Sequence, residues 1–163
     1  MRWTGLVLLC LAILSGCGAE ADVPFVHGLT VGSGLSDPGT GDVVWQPIEA
    51  DGEVPIVAGW QGGQHIWLIL RADGVSPSCY VEPRFSIEAE DGSASVDLTY
   101  GGRFYEVESG YEFPAFAAFI PDPAAFHRKP SRLHVEAVSD CGTSASVDID
   151  IVPFDSRIDL LNP

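Results

Sequence analysis

Short runs of apolar residues separated by turn sequences fill the chain from Asp42 onward. In the strongest run, His65–Arg71, every residue between the first and the last is apolar. Such a run is typical of a strand that is covered on both faces. Gly62-Gly63, just before this run, predicts a hairpin turn because glycine adopts positive φ without strain.

About eight such strands, at a spacing of roughly 8–12 residues, predict an all-β fold, an antiparallel β-sandwich. Asp122–Phe126 is the one helical candidate, because Asp favours the N-cap and Pro the first helical position. We expect the opposing sheet to cover one face of His65–Arg71, and a loop or the Asp122–Phe126 turn to cover the other. Trp67 should then be buried, and Trp67→Ala should cost about 3–5 kcal/mol.

The last two strands carry a resemblance to a known fold. Leu133–Val138, the turn Asp140–Thr143 and the strand over 145–152 resemble the closing hairpin of immunoglobulin-like domains, which implies an immunoglobulin-like sandwich. In those domains the core tryptophan lies between the two cysteines, whereas here Trp67 precedes both. Gly59–Trp67 is also similar to a Gly-Gly-x-His-(Ile/Val)-Trp stretch of uncharacterised predicted lipoproteins, a resemblance that implies no activity.

The N-terminus has the pattern of an export signal. A basic Arg2 precedes the apolar run Leu6–Leu14, which is too short to span a bilayer but suits a signal peptide. Leu14-Ser15-Gly16-Cys17 follows and resembles the lipobox of bacterial lipoproteins. The resemblance implies cleavage before Cys17, a lipid on its thiol and a fatty acid such as palmitate on its amino group.

This resemblance also implies a location in the bacterial cell envelope. In such lipoproteins an Asp after the cysteine often retains the protein at the inner membrane, so Gly18 favours the outer membrane. We therefore divide the chain into a signal peptide over 1–16, a lipid-anchored flexible tether over 17–41, a β-sandwich domain over 42–153 and a C-terminal tail over 154–163. Within the tether, Val23–Val31 is the one stretch that could form a short strand.

Composition narrows the class of partner. The 163 residues fit one domain, and 46% hydrophobic content is too high for a disordered chain. With 23 acidic and 8 basic residues the net charge is −15, which excludes nucleic acid as an expected partner. Loss of residues 1–16 removes Arg2 and no acid, so an acidic body should stand away from anionic lipid head groups.

Two cysteines remain once Cys10 leaves with the signal peptide and Cys17 is lipidated. An oxidising compartment favours a disulfide between Cys79 and Cys141, worth about 4 kcal/mol in the chain-entropy model. The alternative is a reactive or metal-binding thiol pair. Neither cysteine belongs to a CxxC motif, and neither has a histidine within five residues.

Candidate chemistry is sparse. His65 is the most suggestive histidine, because glutamines and glycines surround it at the start of a strand. No two histidines have a chelating spacing of two or four, and no GxSxG, phosphate-loop or dinucleotide motif accompanies them. Acid pairs such as Asp148 and Asp150 share one strand face, which is typical of a solvated surface. We expect no enzyme activity and no cofactor.

Aromatic residues are the remaining candidates for a binding platform. Most of them, including Phe116 and Phe119, are expected in the core. Trp60 and Tyr105 adjoin polar or glycine-rich sequence and are the candidates for exposure. We expect a membrane-anchored, non-catalytic binding or scaffolding lipoprotein, whose partner is an envelope protein or a glycan. The alternative is a periplasmic protein that binds Cu, Zn or Ca through His65 and other histidines or acids.

Overall fold

Two β-sheets pack face to face in the computed structural model, which describes residues 28–34, 39–40, 43–59, 62–142 and 144–161. The predicted all-β sandwich with a short helical turn is confirmed. In this part of the chain, strand pairs are antiparallel except for one parallel pair, which joins the third strand to the eleventh. The described residues form eleven strands instead of about eight, because Thr30–Ser33 adds a strand and two short strands, Gly52–Pro55 and Val57–Ala58, take the place of one apolar run.

The first sheet has six strands. They are β1 (Thr30–Ser33), β2 (Gln46–Pro47), β4 (Val57–Ala58), β5 (Gln64–Ala72), β8 (Tyr105–Val107) and β9 (Gly110–Phe119). Their order is β2-β1-β5-β9-β8, and β4 pairs with the beginning of β5. β5 and β9 are therefore interior strands with hydrogen-bonded neighbours on both sides.

The second sheet has five strands. They are β3 (Gly52–Pro55), β6 (Val81–Ala89), β7 (Ser95–Thr99), β10 (Ser131–Ser139) and β11 (Ser144–Phe154), in the order β3-β11-β10-β6-β7. The alternation of buried and exposed residues along β6 and β10 is regular. One face of this sheet therefore packs on the core, and the other faces solvent.

The core lies between the sheets and uses the inward residues of both. β5 contributes Ile66, Leu68 and Leu70, all 0% exposed, and β10 contributes Leu133 and Val135, which are also 0% exposed. Phe113 and Phe116 of β9 lie in this core, as the sequence predicts. Phe119 does not: its side chain is 51% exposed on the outward face, because β9 alternates and Ala118 takes the inward position.

The outward face of β5 is covered at Ile69 and only partly covered at Trp67. Ile69 is 0% exposed, so the expected cover is present there. Trp67, also on the outward face, is only partly buried, so the prediction that it is a core residue is wrong. The cover comes from the segment before β2, since the Trp45 ring lies over Gly32, the register partner of Ile69.

The predicted tether over 17–41 is wrong for residues 28–34. β1 lies within it and pairs with β5 at four positions, from Thr30 with Arg71 to Ser33 with Leu68. Val31 is 5% exposed and belongs to the core. The short strand that the sequence allows over Val23–Val31 overlaps β1 only at its end, because a four-residue strand containing a glycine is too short to show a period of two.

Two short helices complete the fold. α1 (Pro123–Phe126) confirms the predicted helical turn, and the Asp122 carboxylate accepts a hydrogen bond from the Ala125 amide at 3.3 Å. α2 (Ser156–Leu161) occupies the predicted tail over 154–163. The buried Asp155 carboxylate accepts the Arg157 amide at 3.0 Å and thereby caps this helix, which is too short for its period to be visible in the sequence.

Candidate functional site

Several residues singled out from the sequence lie outside the described part of the chain. They are the lipobox residues that end at Cys17, and Trp60. Among the described residues, no helix is both long and apolar enough to cross a bilayer. Because Cys17 lies outside the described residues, the lipid anchor remains a prediction from the sequence.

Cys79 and Cys141 form a disulfide, as the sequence favours, with their Cα atoms 5.9 Å apart. Cys79 precedes β6 and Cys141 lies in the turn between β10 and β11, next to the register pair Ser139 and Val81. The bond therefore joins two loops at one end of the second sheet. The Tyr80 amide donates to the Asp140 carboxylate at 2.9 Å and reinforces the same junction.

The histidines of the described chain are not gathered into a metal site. Within the described ranges, only Cys79, Asp140 and Cys141 group closely enough to share an ion, and both sulfur atoms of that group belong to the disulfide. His127 Nε2 lies 3.1 Å from the Asp159 carboxylate, and His134 Nδ1 lies 3.0 Å from that of Asp148. His65 is in no such group.

A few acids of the predicted acidic clusters have basic partners. Lys129 Nζ lies 3.1 Å from the Asp91 carboxylate, and hydrogen bonds from Ser93, followed by that from Lys129, lower the pKa of Asp91 to about 2. Arg132 holds Asp150 at 3.1 Å across β10 and β11. The sequence interpretation of these acids as solvated side chains fits this arrangement.

The outward faces of the two sheets differ in charge. The central strands of the second sheet are rich in charged residues, which are Glu82, Arg84, Glu88, Arg132, Glu136, Asp148 and Asp150. The three central strands of the first sheet, β1, β5 and β9, contain only Arg71 and Glu112 as permanently charged residues. These two pair with each other at 2.8 Å. The outward face of the first sheet thus carries no net charge from its central strands.

Aromatic side chains occupy one end of this face. His65 pairs with Phe119, and Trp67 pairs with Ala117, so the Trp67 and Phe119 rings are diagonal neighbours across β5 and β9. The His65 imidazole meets the indole of Trp67 edge to face, with ring centroids 4.8 Å apart. Gly63 leaves room for the Phe119 ring, since a Cβ there would lie 3.2 Å from it.

His65 itself is partly buried and lies close to Gly59. A Cβ on Gly59 would lie 3.2 Å from the imidazole, so a larger residue there would have to displace the ring slightly. Nε2 of His65 is buried and has no hydrogen-bond partner. Burial lowers the pKa of His65, so the imidazole is neutral at neutral pH.

The other end of the face carries a polar network. Arg71 holds the Glu112 carboxylate through Nε and Nη2, both at 2.8 Å, and its guanidinium lies 4.6 Å from the Trp45 ring centroid. Tyr105 donates its hydroxyl to Glu112 at 2.6 Å. Burial, followed by the hydrogen bond to Glu112, raises the pKa of Tyr105 to about 12 and keeps the phenol a donor.

Sequence reasoning found part of this face. The sequence predicts that Tyr105 is exposed, and Tyr105 is 44% exposed. It predicts Phe119 in the core, which is wrong, and it does not predict the ion pair of Arg71 with Glu112. The sequence gives one signal for this ion pair, which is the charged residue Arg71 directly after the apolar run of β5. Its partner Glu112 lies 41 residues away, and only the register of β5 with β9 brings the two together.

This face thus presents two aromatic rings, one fixed ion pair and a phenol, which are kinds of groups that proteins use in ligand binding. A scan against protein-family models finds no match, and searches of curated proteins and of solved structures also find none. The immunoglobulin-like resemblance therefore stays a prediction, while the two-sheet sandwich is a property of the structure itself.

Proposed function

We propose that this chain is a membrane-anchored, non-catalytic binding or scaffolding lipoprotein of the bacterial cell envelope, attached to the outer membrane through Cys17. The observation that carries the binding role is the contrast between the two outward sheet faces. One is acidic and solvated, as expected of a surface without partners, and the other exposes aromatic rings with no net charge on its central strands. Exposed aromatic groups on an otherwise polar surface are typical of interaction sites.

Anchoring is supported by the quartet Leu14-Ser15-Gly16-Cys17 alone. Growth with a fatty-acid analogue should label the wild-type protein and leave Cys17→Ser unlabelled. Equal labelling of both proteins would refute the anchor and leave the binding role to be judged on its own test.

The binding role is tested by photo-crosslinking in intact cells, which does not presuppose the class of partner. A benzophenone amino acid is placed either at position 119, on the aromatic face, or at position 148, on the acidic face. Phe119 and Asp148 are both exposed strand residues, so the two sites are matched for access. We expect adducts from position 119 and far fewer from position 148. Equal yields, or none from position 119, would contradict the proposal.

A second candidate function is metal binding through His65, which the unpartnered Nε2 favours. A neutral imidazole is the form that ligates a metal. Burial lowers the pKa of His65 and therefore favours this neutral form. Binding of Cu²⁺, Zn²⁺ or Ca²⁺ to the folded protein raises its melting temperature. A rise that is lost in His65→Ala would establish this alternative, and unchanged melting with all three ions would dismiss it.

A further inference from the structure

We propose that the outward face of the first sheet binds an uncharged saccharide chain, an inference that rests on the binding role proposed above. The residues concerned form a strip, called the β5–β9 strip below, which consists of Trp67, Phe119, Arg71, Glu112 and Tyr105. Sugars suit this surface because a pyranose ring offers a flat array of C–H groups to an aromatic ring and hydroxyls to polar side chains.

The aromatic end of the strip supplies the stacking surface. Phe119 is 51% exposed, and Trp67 is partly exposed beside it. As diagonal neighbours on two paired strands their Cα atoms are about 7–8 Å apart, within reach of one ligand. Both rings project from regular strands, so a ligand does not have to order a loop when it binds.

The polar end supplies hydrogen-bonding groups at a suitable distance. Arg71 lies four residues beyond Trp67 on β5, which is about 13 Å along an extended strand. Its ion pair fixes the Glu112 carboxylate, which takes two donors from Arg71 and one from Tyr105 and so keeps about one of its four lone-pair sites for a sugar hydroxyl. A ligand that touches both ends therefore has to be extended, which suggests several linked sugar units.

Backbone geometry argues against an extended peptide as the occupant. Peptides commonly bind a sheet by adding a strand to its edge, where N–H and C=O groups are unpaired. β5 and β9 are interior strands, with β1 beside β5 and β8 beside β9. The strip therefore offers only side chains, and ring faces with a few fixed polar groups are sufficient for a sugar.

Charge argues for an uncharged occupant. Arg71 and Glu112 compensate each other within the strip. The net charge of the chain is −15, so an anionic polymer is repelled. A cationic partner would be drawn to the acidic outward face of the second sheet, with Glu82, Asp148 and Asp150, in preference to the strip.

The direct test is calorimetric titration of the full-length protein in phospholipid nanodiscs. The probes are chitohexaose and cellohexaose, which are uncharged, and hexagalacturonate, which is an anionic oligosaccharide of matched length. We expect binding of at least one uncharged probe and none of the anionic probe. Tighter binding of hexagalacturonate would overturn the inference.

Variants locate the site. Trp67→Ala and Phe119→Ala should each weaken binding of the uncharged probe about tenfold, because each removes one stacking surface. Tyr80→Ala is the matched control, since Tyr80 is 40% exposed but lies at the start of the second sheet. Trp67→Phe retains a ring and should weaken binding less than Trp67→Ala, which separates loss of stacking from loss of folding.

The possible failures are distinguishable. If neither uncharged probe binds while crosslinking from position 119 persists, the saccharide inference is wrong and the binding role stands. If Trp67→Ala folds and binds the probe as the wild type does, the strip is not the site. If light scattering shows a dimer that Phe119→Ala dissociates, the occupant is a second copy of the chain, and the inference is again overturned.

Discussion

Replacement of Ile69 by alanine tests whether the outward face of β5 has its own small core. Ile69 is 0% exposed although it points away from the main core, and the Trp45 ring lies over its strand neighbour Gly32. The substitution removes three buried carbon atoms, worth about 2.4 kcal/mol at ~0.8 kcal/mol each. The residual cavity adds to this, so we expect a loss of about 3–4 kcal/mol in the free energy of unfolding.

Urea unfolding followed by far-UV circular dichroism measures this loss. Val44→Ala is the matched control, because Val44 precedes Trp45 and is 52% exposed, and its cost should stay within about 0.5 kcal/mol. Trp45→Ala should destabilise the protein and reduce the further cost of Ile69→Ala in the double variant, since the cover is then already lost. A cost below about 1 kcal/mol for Ile69→Ala would refute the assignment of Trp45 as a cover for this face.

Three further predictions concern close packing, the disulfide and pH. Gly32→Ala should cost about 1–3 kcal/mol in urea unfolding, because the new Cβ would lie 2.5 Å from the Trp45 ring; an unchanged midpoint would contradict this. Cys141→Ser should lower the free energy of unfolding by about 4 kcal/mol, and reduction of the wild type should match it, since the bond closes a loop of 62 positions. Burial lowers the pKa of His65 in the folded state, so the unfolded state binds the proton more readily, and stability falls as the pH drops below about 6.5. Thermal melting at about pH 7.5 and about pH 5.5 should therefore show a larger drop for the wild type than for His65→Gln, and equal drops would exclude this role.

Local patterns in the sequence predict the local features of this fold. The apolar run of β5 and the cap of α1 by Asp122 depend on neighbouring residues. The predicted two-residue turn at Gly62-Gly63 is, in the structure, part of a longer connection between β4 and β5, and only Gly62 has a positive φ. The run and the cap are each decided by backbone preference or by burial of one strand. The sequence is accordingly informative about the sandwich and about the loops that the disulfide joins.

Features that depend on register were not predictable in this way. Trp67 and Ile69 both lie on the outward side of β5, and only the path of the segment carrying Trp45 decides that Ile69 is covered while Trp67 remains partly exposed. The network of Arg71 with Glu112 requires β5 and β9 to pair in one register, which includes an irregularity near Leu68. Nothing in either strand alone contains that information.

The place of β1 in the first sheet has a mechanical consequence. β1 lies between β2 and β5, so a pull that enters the sandwich at Gly28 acts along a strand with neighbours on both sides. Tension along β1 loads its hydrogen bonds to β5 together in shear, whereas tension across the strand would open them one after another. Since Trp67 and Arg71 belong to β5, a ligand held there is connected to Gly28 through one row of backbone hydrogen bonds. The rate at which this row ruptures under force sets the load that the joint can bear.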